Sequence, residues 1–300
     1  MKKAFFQLHI AVFLAGFTGV LGRLITLNEG MIVWYRLLFT AITMWILFGL
    51  LKKIQRIPFK DILQITGVGF IAALHWVTFY GSIKYANVSV ALVCFSSIGF
   101  FTALFEPIIL RKKINWLEVL LGLITIGGIY IIFHFDTQYK TGIIIGLISA
   151  IFAALFPIYN REFLKRINVE TMLTWQQTGG LLTLSILLPF YLQRYPEPDF
   201  IPGWENIGWL LVLSWLCSVI AFQFSSNALK KLSAFTVNLT YNLEPVYGIF
   251  LAFVLFKENQ LLSKWFYYGF AIIAFALVIH IILLVKEERK LTLHATDGLS

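Results

Sequence analysis

Residues 234–256 read AFTVNLTYNLEPVYGIFLAFVLF. At a helical rise of about 1.5 Å per residue this stretch is long enough to cross the roughly 30 Å hydrocarbon core of a bilayer. Yet Glu244 and Pro245 stand side by side near its middle. A carboxylate is costly at that depth, and a proline removes a backbone donor where no water compensates for it. The pair needs a reason if the stretch lies in lipid.

Composition says that it does. The chain has 300 residues, 59% hydrophobic and 13% charged, with a mean hydropathy of +0.82, whereas soluble domains carry about 25% charged residues. One globular core of this length cannot hide so much apolar surface, so hydrocarbon is its solvent. Ten apolar runs match the length of a span: residues 4–22, 31–51, 62–83, 89–110, 116–133, 141–163, 172–192, 207–228, 234–256 and 265–285. The predicted fold is therefore an all-α integral membrane protein with ten transmembrane helices. Its connections are too short to hold a separate folded domain.

The basic residues predict an orientation. With the N-terminus in the cytoplasm, inner segments hold Lys2, Lys3, Lys52, Lys53, Arg56, Lys60, Arg111, Lys112, Lys113, Arg161, Lys165, Arg166, Lys230, Lys231, Lys286, Arg289 and Lys290. Outer loops hold only Arg23, Lys84, Lys140, Arg194, Lys257 and Lys264. This bias places both termini in the cytoplasm of a multi-pass plasma membrane protein, the inner membrane of a bacterium. The net charge of +9 is then an orientation signal. Charges dispersed over so many segments do not make a nucleic-acid surface. Lys2 and Lys3 precede a long apolar run without a small-x-small cleavage site, which reads as an uncleaved anchor. Cys94 and Cys217 fall inside runs and make no metal or disulfide pattern; no cofactor is expected.

The two halves of the chain resemble each other. Residues 84–112 align without gaps on residues 230–258, an offset of 146 that sets Lys84 on Lys230, Asn87 on Ser233, and the charged pair Arg111-Lys112 on Lys257-Glu258. Small residues recur at four-residue spacing in the first run (Ala11, Ala15, Gly19) and in the sixth (Gly146, Ala150, Ala154), a pattern that lets helix backbones approach closely in lipid. Each half thus holds five helices, and an odd number makes the second half enter from the opposite side. Inverted repeats of this kind mark alternating-access transporters, with the substrate site near the midplane between them. The repeats are expected over residues 4–134 and 140–285, with a cytoplasmic tail over 286–300.

A fourth helix ending in a charged turn and followed by a Gly-rich helix occurs twice, as FVLFKEN with WFYYGFAIIAFALVI and as IILRKKI with WLEVLLGLITIGGIYIIF. In this the chain resembles the EamA-type members of the drug/metabolite transporter superfamily over nearly its whole length. The resemblance implies a ten-helix bundle with both ends in the cytoplasm, and export of amino acids or related metabolites. The family motif has a Pro in the fourth helix of each repeat and, at a fixed distance, a Gly-Glu-Arg-like turn. Pro245 and Glu258 fit it, while the first repeat departs from it with Gly99 and Lys112.

Among single residues, Glu244 is the deepest charge, about 15 Å from either surface. As a site it would take a substrate amine or a proton; otherwise it is a protonated, hydrogen-bonded carboxyl. Pro245 is expected to kink a continuous helix by colliding with the carbonyl of Tyr241. Tyr241 shares the face of Glu244, and Asn238 and Asn242 form a neighbouring polar strip. His75, with Trp76, Thr78 and Tyr80, is either a protonatable cavity residue with aromatic walls or a histidine bonded between helices. In a chain with 29 Phe, 12 Tyr and 9 Trp an aromatic cluster alone means little. Arg36 can reach a surface by snorkelling or can bind a substrate carboxylate from within. Gln176 and Gln223 are further cavity candidates, although amides more often join helices. Glu106, beside Pro107, sits near Arg111 at an interface.

Three function classes compete. A secondary transporter of small metabolites, most simply an amino-acid exporter, fits the repeat; no nucleotide-binding Gly-x-x-x-x-Gly-Lys-Ser/Thr loop exists to hydrolyse ATP. Its partners would be a small-molecule substrate, the bilayer, protons as a candidate coupling ion, and a second copy in a homodimer. An intramembrane enzyme would need a nucleophile beside a base, and Ser96, Ser97, His75 and Glu244 form no such motif. The third class is a passive pore or a non-transporting scaffold; an open pore would need rings of polar residues, whereas those of the sequence are sparse and scattered.

Overall fold

The protein is described by a computed structural model at residues 2–197, 200–229, 232, 240–241 and 243–297, and it is built from helices joined by short connections. The first half contains α1 (Lys2–Leu24), α2 (Glu29–Leu50), α3 (Phe59–Tyr85), α4 (Val88–Phe95), α5 (Ile98–Leu110) and α6 (Trp116–Phe135). A 3₁₀ turn, Thr137–Tyr139, leads into α7 (Lys140–Phe163) and α8 (Val169–Arg194). Then follow α9 (Trp204–Ser214), a π-helical turn (Trp215–Ile220), α10 (Ala221–Leu229), α11 (Glu244–Phe256) and α12 (Lys264–Asp297).

Among the described residues, eight helical runs are long and apolar enough to cross a membrane. They include Val88–Leu110, which joins α4 and α5, and Trp204–Ser225. The chain is therefore a multi-pass membrane protein. Two of the ten expected spans fall outside this set for identifiable reasons. The seventh lies in α8, whose 26 residues are long enough, but Thr171, Thr174, Gln176 and Gln177 dilute its hydropathy. All four are buried against neighbouring helices and do not face lipid. The ninth is described as the 13-residue α11, preceded by Thr240 and Tyr241, while residues 233–239 and Asn242 lie outside the described residues. Large apolar side chains cover the outside: Ile186 and Phe190, one turn apart on α8, are each 68% exposed. In water such a stripe would be an aggregation site; in lipid it is the solvent-facing surface.

The fourth span is not the single helix expected over 89–110. It breaks after Phe95, where the Ser96 hydroxyl donates to the Leu92 carbonyl at 3.2 Å and the Ser97 hydroxyl to the Cys94 carbonyl at 2.6 Å. Serine hydroxyls compete for helix carbonyls, and here the backbone tightens as well, the Ser97 amide bonding the Cys94 carbonyl at 3.0 Å. The half-helix α5 then begins at Ile98. At the offset of 146 Ile98 maps onto Glu244, the first residue of α11, and Leu110 maps onto Phe256, its last. Both half-helices have 13 residues and both stop on a left-handed cap, Arg111 at φ 52° and Lys257 at φ 53°. A second correspondence lies in the caps of α2 and α8. Asn28 accepts from the Met31 amide at φ −66°, ψ 159°, and Asn168 accepts from the Thr171 amide at φ −68°, ψ 158°. Side-chain caps of this type each contribute about 1 kcal/mol.

Close backbone contacts hold the bundle together. A Cβ added to Gly16 of α1 would lie 2.8 Å from the Glu244 carbonyl oxygen and 3.0 Å from the Gly248 nitrogen, so α1 and α11 cross where only glycine fits. The last helices of the two halves meet in the same way, at Gly128 of α6 and Gly269 of α12. Ion pairs define two ends. At one, Arg23 in the last turn of α1 pairs with Glu258 after α11. At the other, Glu106 of α5 pairs with Lys112 and with Arg161 of α7, Lys53 with Glu170, and Arg166 with Asp61.

Candidate substrate site

Both half-helices begin inside the membrane. At about 1.5 Å per residue, 13 residues put Ile98 and Glu244 each roughly 20 Å from the end at which its own helix finishes. Glu244 is thus the first residue of α11, with Pro245 in the first turn. This corrects the expected kink. Proline in a first turn costs no hydrogen bond, because the amide it lacks would have no partner there. The break precedes it, at Leu243, and the first half breaks at the matching place without any proline. A carboxylate in the first turn also meets the positive end of the helix dipole. The Glu244 side chain is half-buried and makes no hydrogen bond or ion pair among the described residues; Arg36 is within its electrostatic reach.

Arg36 does not snorkel. It is 3% exposed, its Nη1 donates to the Tyr80 hydroxyl at 2.9 Å, and its Nε donates to the Ser218 hydroxyl at 3.1 Å. Its guanidinium carbon lies 4.3 Å from the centre of the Trp76 ring. Buried guanidinium groups normally face a carboxylate, yet Arg36 is in no salt bridge among the described residues, and its Nη2 makes no hydrogen bond there. Two polar partners and an aromatic face fix its direction while leaving donors free.

The π-helical turn between α9 and α10 helps to build this arrangement. Ser218 donates its single proton to the Leu213 carbonyl at 3.3 Å, five residues back, and so must accept from Arg36. Ser214 donates to the backbone carbonyl of Arg36 itself at 3.3 Å. Wide turns of this kind recur at functional sites. Thr40, one turn along α2 from Arg36, is fully buried with its hydroxyl unpaired among the described residues. Neither serine nor Thr40 is visible in sequence, since small hydroxyl residues in an apolar run look like ordinary packing.

The other expected residues divide. Tyr80 is fully buried and its hydroxyl is taken by Arg36, while Trp76 packs its face on the same guanidinium; both serve Arg36 directly. His75 is bonded between helices: its Nδ1 is 2.9 Å from the Ser149 hydroxyl, which itself donates to the His75 carbonyl at 3.0 Å. Nδ1 therefore carries the proton, inside a ring of Trp76, Phe79, Phe95 and Phe156. Tyr241 is half-buried, hydrogen-bonded to Ser225 of α10 and electrostatically coupled to Glu244. Gln176 accepts from Asn160 of α7 at 3.2 Å, a link between helices. Gln223 is half-buried in α10. Asn238 and Asn242 lie outside the described residues. No group of three or more His, Cys, Asp or Glu that could hold a metal occurs among the described residues.

A bundle with half-helices starting in mid-membrane beside a buried cation has the architecture of a membrane carrier. The sequence profile described as the EamA-like transporter family matches residues 2–134 and again residues 140–280, so this chain belongs to that family. It is also 23% identical over 246 residues to a Haemophilus influenzae protein described as an uncharacterized transporter, covering 76% of this chain and 75% of that one. Its fold is similar to that of a crystal structure at a TM-score of 0.63 and 16% identity, covering 96% of this chain and 99% of the other.

Proposed function

We propose that this chain is a secondary transporter that exports small zwitterionic, amino-acid-like metabolites by alternating access of two inverted five-helix repeats. One observation carries the reading: Arg36 and Glu244, opposite charges in the membrane interior, each lack a charged hydrogen-bonding partner among the described residues. A substrate carboxylate on the free donors of Arg36 would form charge-assisted bonds of favourable planar geometry, and a substrate ammonium would neutralise Glu244. The match of the two half-helices, with Arg23 and Arg161 at opposite ends, supports the inverted relation. The repeats are taken as residues 4–134 and 140–285, in ten spans, with the termini and the 286–300 tail in the cytoplasm of a bacterial inner membrane, as the distribution of Lys and Arg favours.

Energy would come from the substrate's own gradient or from protons carried on Glu244, since a carboxyl that alternates between dry and wet surroundings changes its proton affinity. Thermal-shift screening of the purified protein against amino acids and related metabolites tests the reading first, because a ligand that binds only the folded state raises its unfolding temperature. Counterflow of any hit in proteoliposomes then separates a carrier from a pore. Absence of saturable exchange for every stabilising ligand would rule the reading out.

A further inference from the structure

At the end of the bundle where α1 finishes, Glu258 is wholly buried. Its carboxylate is spent completely. It pairs with Arg23, accepts from the Val88 amide at 3.2 Å and the Ser89 amide at 2.9 Å, and accepts from the Ser89 hydroxyl at 2.6 Å. The next amide of α4, that of Val90, is taken by Asn87 at 2.8 Å. So the first three donors of α4 are satisfied, two of them by a residue from the other repeat. Arg23 also lies over the Phe256 ring, 4.4 Å from its centre. Three pieces that must separate if this end is to open, namely α1, α4 and the turn after α11, are thus tied to one carboxylate. Below it the packing is equally tight: seven of the eight residues of α4, Val88 to Cys94, are buried.

The opposite end is different. Only Ala103 is buried in α5, and a recess of about 580 Å³ lies between the ends of α5 and α7, lined by Ile109, Leu110, Tyr159 and charged residues, against a smaller one of about 320 Å³ beside Arg23 and Ile83 at the latched end. At the offset of 146 the position of Glu258 is held there by Lys112, which cannot accept from helix amides. None of the ion pairs at this end has a wholly buried carboxylate: Glu106 is 29% exposed against Lys112 at 50% and Arg161 at 65%, Glu170 is 14% exposed against Lys53 at 43%, and Asp61 is 13% exposed against Arg166 at 56%. Exposed pairs of this kind hold little, whereas removing one partner of a buried pair strands the other.

We propose that the Glu258 cluster is a one-sided latch: it closes the Arg23 end of the bundle in the resting state, and the substitution of Lys112 at its register mate leaves the other end without an equivalent. The inference rests on the alternating-access reading, but its test does not need transport. Single cysteines are placed on a background lacking Cys94 and Cys217, either at Ile83, buried beside the latch, or at Tyr159, in the opposite recess. The full chain in nanodiscs, with both faces exposed, is then labelled with a charged maleimide. Wild type should label fast at Tyr159→Cys and slowly at Ile83→Cys. Glu258→Gln should raise the Ile83→Cys rate about tenfold and lower that of Tyr159→Cys, as a shift between two states requires. Arg23→Gln keeps the cap on α4 and removes only the cation. It should act in the same direction, and it decides the matter if Glu258→Gln fails to fold. Unchanged rates at both reporters in a folded Arg23→Gln protein would overturn the latch. With counterflow intact, that result leaves the transporter reading standing; shifted labelling without any counterflow would uphold the latch and sink transport.

Discussion

A guanidinium inside a membrane helix costs up to about 2.5–3.5 kcal/mol on insertion scales, the value at the helix centre, and a hydrogen bond to a charged group returns about 1.5–3 kcal/mol. Arg36, with bonds to Tyr80 and Ser218 and the face of Trp76, is thereby roughly balanced before any ligand arrives. A carboxylate on its remaining donors is then net gain. Arg36→Lys keeps the charge but cannot serve two fixed acceptors and a planar carboxylate together. We expect substrate KM to rise about 30-fold, about 2 kcal/mol of lost charge-assisted bonding, with thermal unfolding little changed; an unaltered KM would remove Arg36 from the site. Ser218→Ala loses both an acceptor for Arg36 and the proton on the Leu213 carbonyl. It should cost about 1–2 kcal/mol of stability in thermal or denaturant unfolding. Glu244→Gln should abolish any dependence of transport on a proton gradient, checked in proteoliposomes with and without an imposed pH difference. Charged residues such as Arg36 and Glu244 were legible in sequence because they stand out from an apolar run. Ser218, Ser214 and Thr40 were not, since their role comes from which helix faces them.

Among the helices, the repeat is written most clearly in the two half-helices, which match in first residue, last residue and left-handed cap. The offset of 146 was readable from Lys84, Arg111 and their mates, but the break itself was not. A run such as VALVCFSSIGFF has helical hydropathy throughout, and its break comes from serine hydroxyls taking carbonyls. Pro245, in the first turn of α11, carries less than a mid-helix proline would. Because Ile98 starts a half-helix at the matching place with no proline, Pro245→Ala should leave the break intact and shift stability by less than about 1 kcal/mol, as thermal unfolding will read. Gly16 carries more. A side chain there meets the Glu244 carbonyl and Gly248 backbone, so Gly16→Leu should cost about 2–4 kcal/mol, the upper range for overpacking. Gly127→Ala, with nothing within 4 Å, should be neutral or stabilising by up to about 1 kcal/mol.

At the scale of the molecule, composition alone separated lipid from water as solvent, because 59% hydrophobic residues leave no alternative. The number of spans is less legible in composition. The polar residues of α8 face protein, and hydropathy averages over a helix without knowing which face is buried. The asymmetry of the two ends was also half legible: Lys112 in place of a carboxylate was visible, while the bonds that make its mate Glu258 matter lie between residues far apart in sequence. The proposed zwitterion site between Arg36 and Glu244 is tested most directly by ligand-induced stabilisation of the purified protein. For whichever amino acid raises the unfolding temperature, the expected result is that its carboxamide and its decarboxylated amine each lose most of the shift. Arg36→Gln should then erase the remaining preference for the free carboxylate, and Glu244→Gln the preference for the free amine. Equal shifts from the zwitterion and both analogues in wild type and variants would contradict the site.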